Sequence, residues 1–257
     1  MSVMNIAVLV SGGGTNLQAL IDYEKSVSEC PYHIAVVISN TKSAYALERA
    51  SLAGIPSFVK SPYSVMGKEV AEKADRDTKR IAVSDAVLEV CRGYKVNAIV
   101  LAGYLSVLGG TIIDEYAGKI VNLHPALLPK FGGVGMWGHN VHEAVLAAHE
   151  KESGCTVHLV DSGCDTGKIL VQKKVPVMEG DTPDSLYARI APHEQEAMVE
   201  GVCLLAKLLG YSRPSFRSRV VGNGFGSAVT SVSKYIFIDT LFNQNINYCL
   251  CSLYTER

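Results

Sequence analysis

The chain has 257 residues, 48% of them hydrophobic and 19% charged, with 24 Lys and Arg against 25 Asp and Glu. This length and composition suit one or two globular domains with a sizeable core. A net charge of −1 excludes a protein that wraps nucleic acid or coats an anionic membrane, leaving room for a local basic pocket at most.

Short apolar runs alternate with helical patterns along most of the chain. "NIAVLVS" (5–11), "HIAVVIS" (33–39), "IPSFV" (55–59), "NAIVLAG" (97–103) and "KIVNLH" (119–124) read as strands. They are rich in Val and Ile and nearly continuous in hydrophobicity, as strands covered on both faces are. Helices are expected between them at 15–26, 43–53, 65–93 and 110–117, with Gly54 as a stop signal. A helix near 141–149, strands at 155–161 and 168–177, and a long helix over 183–209 follow. Thr182-Pro183-Asp184 supplies a cap, a proline at the first helical position and an acid in the first turn. The alternation predicts an α/β fold with a doubly wound, mostly parallel, Rossmann-like sheet. Residues 1–212 make one domain. Residues 213–257, rich in Ser, Asn and aromatics, continue no such rhythm and read as a C-terminal extension of unassigned structure.

The N-terminal apolar run is too short for a signal peptide and lacks a basic lead. No stretch approaches the roughly 20 apolar residues of a membrane span. Seven cysteines, at 30, 91, 155, 164, 203, 249 and 251, form no CxxC pair. Neither zinc nor a disulfide framework is indicated, and reduced thiols fit a cytoplasmic protein.

"VLVSGGGTNLQAL" (8–20) is strand, glycine loop, helix. Glycines let backbone N–H groups approach a ligand closely, and a helix N-terminus favours an anion. No Lys follows the loop, so it is not a P-loop; Leu17 stands where a dinucleotide fingerprint needs its third glycine. A small phosphate on the amides of Gly14, Thr15 and Asn16 is the preferred reading. The alternative is a tight turn capped by Thr15 or Asn16.

In "GKIVNLHPALLPKF" (118–131), Asn122 and His124 lie two apart and so share one strand face. Pro125 ends the strand. An amide and an imidazole then stand side by side at a strand's C-terminal end, where open α/β sheets bind ligands. Two hydrogen-bond donors there suit an oxyanion in acyl transfer. A carboxylate partner is expected from "VDSGCDTGKIL" (160–170): Asp165, with Asp161 as competitor. His139 and His142 read as capping or surface residues, and His158 could face core or cleft. No metal-ligand spacing is present.

These segments also carry a resemblance. "NIAVLVSGGGTNLQALID" (5–22), "VISNTKSAYALERASLAGIP" (37–56), "IVLAGYLSVL" (99–108), "IVNLHPALLPKFGG" (120–133) and "GCTVHLVDSGCDTGKILVQ" (154–172) resemble, in order and spacing, the phosphoribosylglycinamide formyltransferase family over roughly residues 4–210. The resemblance implies that a formyl group passes from 10-formyltetrahydrofolate, the co-substrate, to the amine of glycinamide ribonucleotide in purine (IMP) biosynthesis, without a metal. The family's catalytic Asn, His and Asp fall on Asn122, His124 and Asp165. Its phosphate loop falls on Gly14, Thr15 and Asn16, and its ribose-binding Glu on Glu194. Its folate contacts fall on Leu105, Ser106, Val107, Leu108 and Asn122, and on Asp161 in the loop 161–165. It implies small-molecule partners and a monomer or homodimer. Three departures stand out. Ser106 replaces a usual Arg, so a backbone contact to folate is expected there. The segment 130–145 is longer, and Ala191 replaces a usual phosphate-binding Gln. Thr156 and His158 are expected to support the site from behind the residues that meet substrate.

Overall fold

Two-sided burial of Val- and Ile-rich strands organises the molecule. The computed structural model describes residues 2–211, so the expected extension over 213–257 lies outside the described residues. Strands β1 (Met4–Val10), β2 (Tyr32–Ser39), β3 (Ser57–Val59), β4 (Ala98–Leu101), β5 (Ile120–His124), β6 (Glu152–Leu159) and β7 (Ile169–Pro176) form one sheet in the order β3-β2-β1-β4-β5-β6-β7. The pairs from β3 to β5 are parallel, and β6 and β7 run antiparallel. Chain order reverses between β1 and β4. That switch point opens a crevice at the strands' C-terminal ends.

Alternate strand residues feed two cores. Ile6, Val8 and Val10 of β1 and Val121 and Leu123 of β5 join helices α1 (Thr15–Ser26) and α8 (Pro183–Leu208) on one face. Ala7, Leu9 and Ile120 face α5 (Arg76–Gly93) and α6 (Thr111–Glu115) on the other. A shift in register between β1 and β2, where Ile6 pairs Ile34 but Ala7 pairs Val36, keeps both faces filled. Gly201 of α8 lies so close to Val157 that an added Cβ would meet Val157 Cγ1 at 2.5 Å. The small residue sets how near α8 approaches β6.

The remaining helices are α2 (Tyr45–Leu52), α3 (Pro62–Met66), α4 (Lys68–Lys73) and α7 (His139–Ala147). The expected single helix over 65–93 is thus three pieces. Gly67 takes φ 76 between α3 and α4. Asp75 then caps α5, its side chain accepting from the Thr78 N–H at 2.8 Å. A left-handed glycine and a strong N-cap are both boundary signals. The start of α8 is as expected: Thr182 accepts from the Ser185 N–H, with Pro183 in the first turn. No helix among the described residues is long and apolar enough to cross a membrane.

Candidate active site

β5 ends at His124, and the pleat puts Asn122 and His124 on one face. The antiparallel neighbour β6 sets His158 opposite Asn122 and Thr156 opposite His124. Thr156 braces the chain that leaves β5. Its hydroxyl donates to Ala126 O at 2.7 Å and accepts from the Leu128 N–H and Gln172 Nε2, both at 3.1 Å.

Asp165 lies between the two histidines. Its Oδ2 is 3.5 Å from His124 Nδ1, and its Oδ1 is 3.5 Å from His158 Nε2. The Gly133 N–H donates to Oδ2 at 3.0 Å, which is the contact of hydrogen-bonding length among these. Burial works to raise the Asp165 pKa. The His158 ring, the Gly133 N–H and His124 outweigh it, so the carboxyl is held below its ordinary range. Gly132 permits this approach, because a Cβ there would meet Leu128 Cδ2 at 2.6 Å and Asp165 Cβ at 3.2 Å. Asp161 plays a different part. It accepts from its own loop, from the Gly163 N–H at 2.9 Å and the Thr166 hydroxyl at 2.7 Å. It therefore shapes the turn, while Asp165 meets the histidines.

His124 is 3% exposed. Burial pushes its pKa down, against the opposing pull of Asp165 and the Phe131 carbonyl. Its Nε2 lies 2.7 Å from Phe131 O. A carbonyl only accepts, so this nitrogen carries the hydrogen. The neutral ring then turns a bare Nδ1 toward Asp165. This differs from the expectation of two donors side by side: Asn122 presents its amide, but the imidazole N–H is committed to Phe131. Nδ1 and Oδ2 instead form a two-acceptor niche for a transferable proton.

The glycine loop follows β1, which β4 separates from β5 in the sheet. Gly14 caps α1 at φ 72 with no side-chain cap hydrogen bond. An added Cβ would meet Ala46 Cβ at 2.6 Å, so only glycine fits. Arg49 of α2 donates from Nε to Gly13 O at 2.8 Å and from NH1 to Gln18 Oε1 at 2.9 Å. Glu194 on α8 is 7% exposed and shares a hydrogen bond with the Asn16 side chain. Burial raises its carboxyl to about 7. Neither Thr15 nor Asn16 caps α1, so the alternative of a simple capped turn is not what forms.

The loop after β4 is laced to the loops after β1 and β2. The Leu105 N–H donates to Ser11 Oγ at 2.8 Å, and Asn40 Nδ2 donates to Ser106 Oγ at 2.6 Å. Leu105 and Val107 are exposed, whereas Leu108 is buried. Ser106 thus has a side-chain role within the loop, beyond the backbone contact expected of it. Sequence reasoning missed Phe131, Gly133, Asn40 and Arg49, which act through backbone atoms or across loops and carry no local signal. His158 does face the cleft. His139 is exposed beside Asp184, as expected of a surface residue. His142 is buried against Tyr187 rather than at the surface, and burial lowers its pKa to about 4.

Among the described residues no group of three His, Cys, Asp or Glu side chains is arranged to hold a metal ion. Cys164 adjoins Asp165, but burial and that carboxylate raise its thiol pKa, which disfavours a thiolate nucleophile. An amide donor and a proton acceptor without an activated nucleophile between them suit direct acyl transfer between two bound substrates. Residues 4–202 match the model of the formyl transferase family. A phosphoribosylglycinamide formyltransferase from Haemophilus influenzae is 38% identical over 74% of this chain and 82% of its own length. A glycinamide ribonucleotide transformylase structure from Symbiobacterium toebii superposes with a TM-score of 0.69 at 36% identity, over 80% of this chain and 88% of that one. A trifunctional purine biosynthetic protein from Drosophila melanogaster is 38% identical over 83% of this chain, which spans only 15% of that relative's length. The chain belongs to the formyl transferase family, in its phosphoribosylglycinamide formyltransferase branch.

Proposed function

We propose that this chain transfers the formyl group of 10-formyltetrahydrofolate to the amine of glycinamide ribonucleotide, within purine biosynthesis. One observation carries the reading. At the C-terminal end of β5, Asp165 meets both His124 and His158, and His158 meets Asn122; the uncapped, glycine-led start of α1 is linked through Asn16 to the buried Glu194 carboxyl on α8.

The acceptor's phosphate rests on the amides of Gly14, Thr15 and Asn16, and its ribose hydroxyls meet Glu194. The folate ring lies along Leu105, Ser106, Val107 and Leu108 and against the loop 161–165. The glycyl nitrogen attacks the formyl carbon, and a C–N bond forms as the carbonyl becomes an alkoxide. Asn122 donates a hydrogen bond to that oxygen. The attacking nitrogen's proton passes to the niche between His124 Nδ1 and Asp165 Oδ2. The imidazolium so formed is held by the carboxylate and adds its charge beside the oxyanion. Collapse breaks the bond to folate N10, and the proton leaves with N10. Residues 1–212 form the catalytic domain, acting as a monomer or homodimer in the cytoplasm.

The test is an absorbance assay with 10-formyltetrahydrofolate, run with and without glycinamide ribonucleotide, on wild type and on His124→Ala. Turnover that needs the ribonucleotide and falls sharply in the variant is expected. Deformylation indifferent to the ribonucleotide would identify a hydrolase and overturn the reading.

A further inference from the structure

We infer that His158 is a positioning residue which fixes the polarity of the oxyanion donor: its tautomer, set by the backbone carbonyl of Leu159, forces Asn122 to present N–H rather than C=O to the reacting oxygen. The inference rests on the proposed formyl transfer and deepens it.

His158 Nδ1 lies 2.9 Å from Leu159 O. A backbone carbonyl has no hydrogen to give, so Nδ1 must carry one. In the neutral ring Nε2 is then bare. Asn122 lies 3.2 Å from Nε2. Facing a lone pair, the amide must turn its NH2 inward. The opposite orientation would set carbonyl oxygen against ring nitrogen, two acceptors with no hydrogen between them. The orientation of an amide is ordinarily ambiguous to structure; here Leu159 O decides it. One N–H is spent on His158. The second has no partner among the described residues and is available to the developing alkoxide. Burial of His158, at 2% exposure, keeps water from offering Nε2 a substitute hydrogen.

Asp165 is the competitor for Nε2, because its carboxylate, which the His158 ring helps hold low, favours a hydrogen on that nitrogen. Asp165 Oδ1 is 3.5 Å from Nε2, beyond a good hydrogen bond. His124, on the far side of Asp165, addresses Oδ2. Asp161 is engaged with its own loop. A hydrogen on Nε2 would have to displace the Asn122 NH2 and would reverse the amide. The oxyanion would then meet a carbonyl oxygen, so one tautomer separates a donor from a repulsive group.

The test has two arms. First, 15N-edited NMR of the free, full-length protein at neutral pH reads the His158 tautomer without substrate. A protonated Nδ1 with a bare Nε2 supports the inference, whichever acceptor the enzyme uses. A hydrogen on Nε2 overturns it. Second, kcat is measured in a double-mutant cycle of His158→Leu and Asn122→Ala. Losing an oxyanion donor typically costs about 10²–10³ in rate. His158→Leu should lose on the order of 10-fold or more in kcat with little change in either KM, and almost nothing further in the Asn122→Ala background. His158→Gln, which keeps an acceptor, should recover most of the rate and shows that the loss is not misfolding. Additive losses, or full kcat in His158→Leu, would overturn the positioning role. A wild type whose turnover ignores the ribonucleotide would fail the acceptor assignment alone, and the NMR arm still decides the amide.

Discussion

Asp165 sits at φ 57 and Phe131 at φ 56, in the left-handed region that non-glycine residues rarely occupy. Both address His124, one by carboxylate and one by carbonyl. Strain of this kind costs of order 1–3 kcal/mol per residue and persists where the surroundings over-determine it. Asn also tolerates left-handed backbone, so Asp165→Asn isolates the chemistry. It should keep the fold yet lower kcat by roughly 10²–10⁴, the range of a lost proton acceptor; a thermal melt beside the assay would separate the two effects. Glu194 offers a pH test. Its folded carboxyl titrates near 7 instead of 4.5. The folded chain therefore holds a proton that the unfolded chain has released across that window. Stability should fall as pH rises from about 4.5 to 7 and level off beyond, by an amount on the order of 3 kcal/mol. Glu194→Gln should flatten that slope in urea titrations and raise the KM for the ribonucleotide. The shared face of Asn122 and His124 was legible in the sequence because alternation and a terminating proline fix where strand side chains point; Asp165, in a loop with Asp161 as competitor, is set between the histidines only by the fold. Phe131 and Gly133 were not, because they act through a carbonyl and an N–H that every residue has.

Element boundaries were readable where a cap is followed by proline and unreadable where a long helical pattern hides a break. Thr182-Pro183 marked α8, whereas the pattern over 65–93 concealed Gly67 and the Asp75 cap. In the turn before α8, Asp181 takes a two-pronged bond from Arg189, NH1 to Oδ2 at 2.7 Å and NH2 to Oδ1 at 2.8 Å. Arg189 also donates to Pro176 O at 2.8 Å, so β7, the turn and α8 are clipped together. The Arg189 hydrogen bonds hold the Asp181 carboxyl well below the usual carboxylate range. A depressed pKa stabilises the fold above the unfolded value of 3.8 and ceases to as pH falls through the folded one. Asp181→Asn should thus melt earlier than wild type at neutral pH, and the gap should close on acidification; a gap constant with pH would refute the clip. Packing of α8 on β6 is tested separately. Gly201→Val drives a branched side chain into Val157. Overpacking of this kind costs about 1–3 kcal/mol, or several degrees in Tm, and differential scanning calorimetry would read it.

At the scale of the molecule, strand periodicity carried the fold class but not the register of β5 against β6. That register sets His158 opposite Asn122 and belongs to residues 36 positions apart. No local pattern encodes such a pair; both cores must form first. Those cores are made from residues between Met4 and Ala206, with Leu209 and Tyr211 packed on the first of them. Every group given a chemical role, from Gly14 to Glu194, is positioned by elements inside that range. If this is the whole catalytic unit, a chain ending after Tyr211 keeps the hydrogen bond that closes the end of α8, Tyr211 N–H to Ala206 O at 2.8 Å. It should unfold in one cooperative transition and retain kcat and both KM values within about twofold. A truncated chain that folds cooperatively but loses turnover would assign residues 212–257 a part in the reaction. One that fails to fold would move the domain boundary beyond Tyr211. Unchanged kinetics would confine the chemistry to the sheet and the loops at its C-terminal edge.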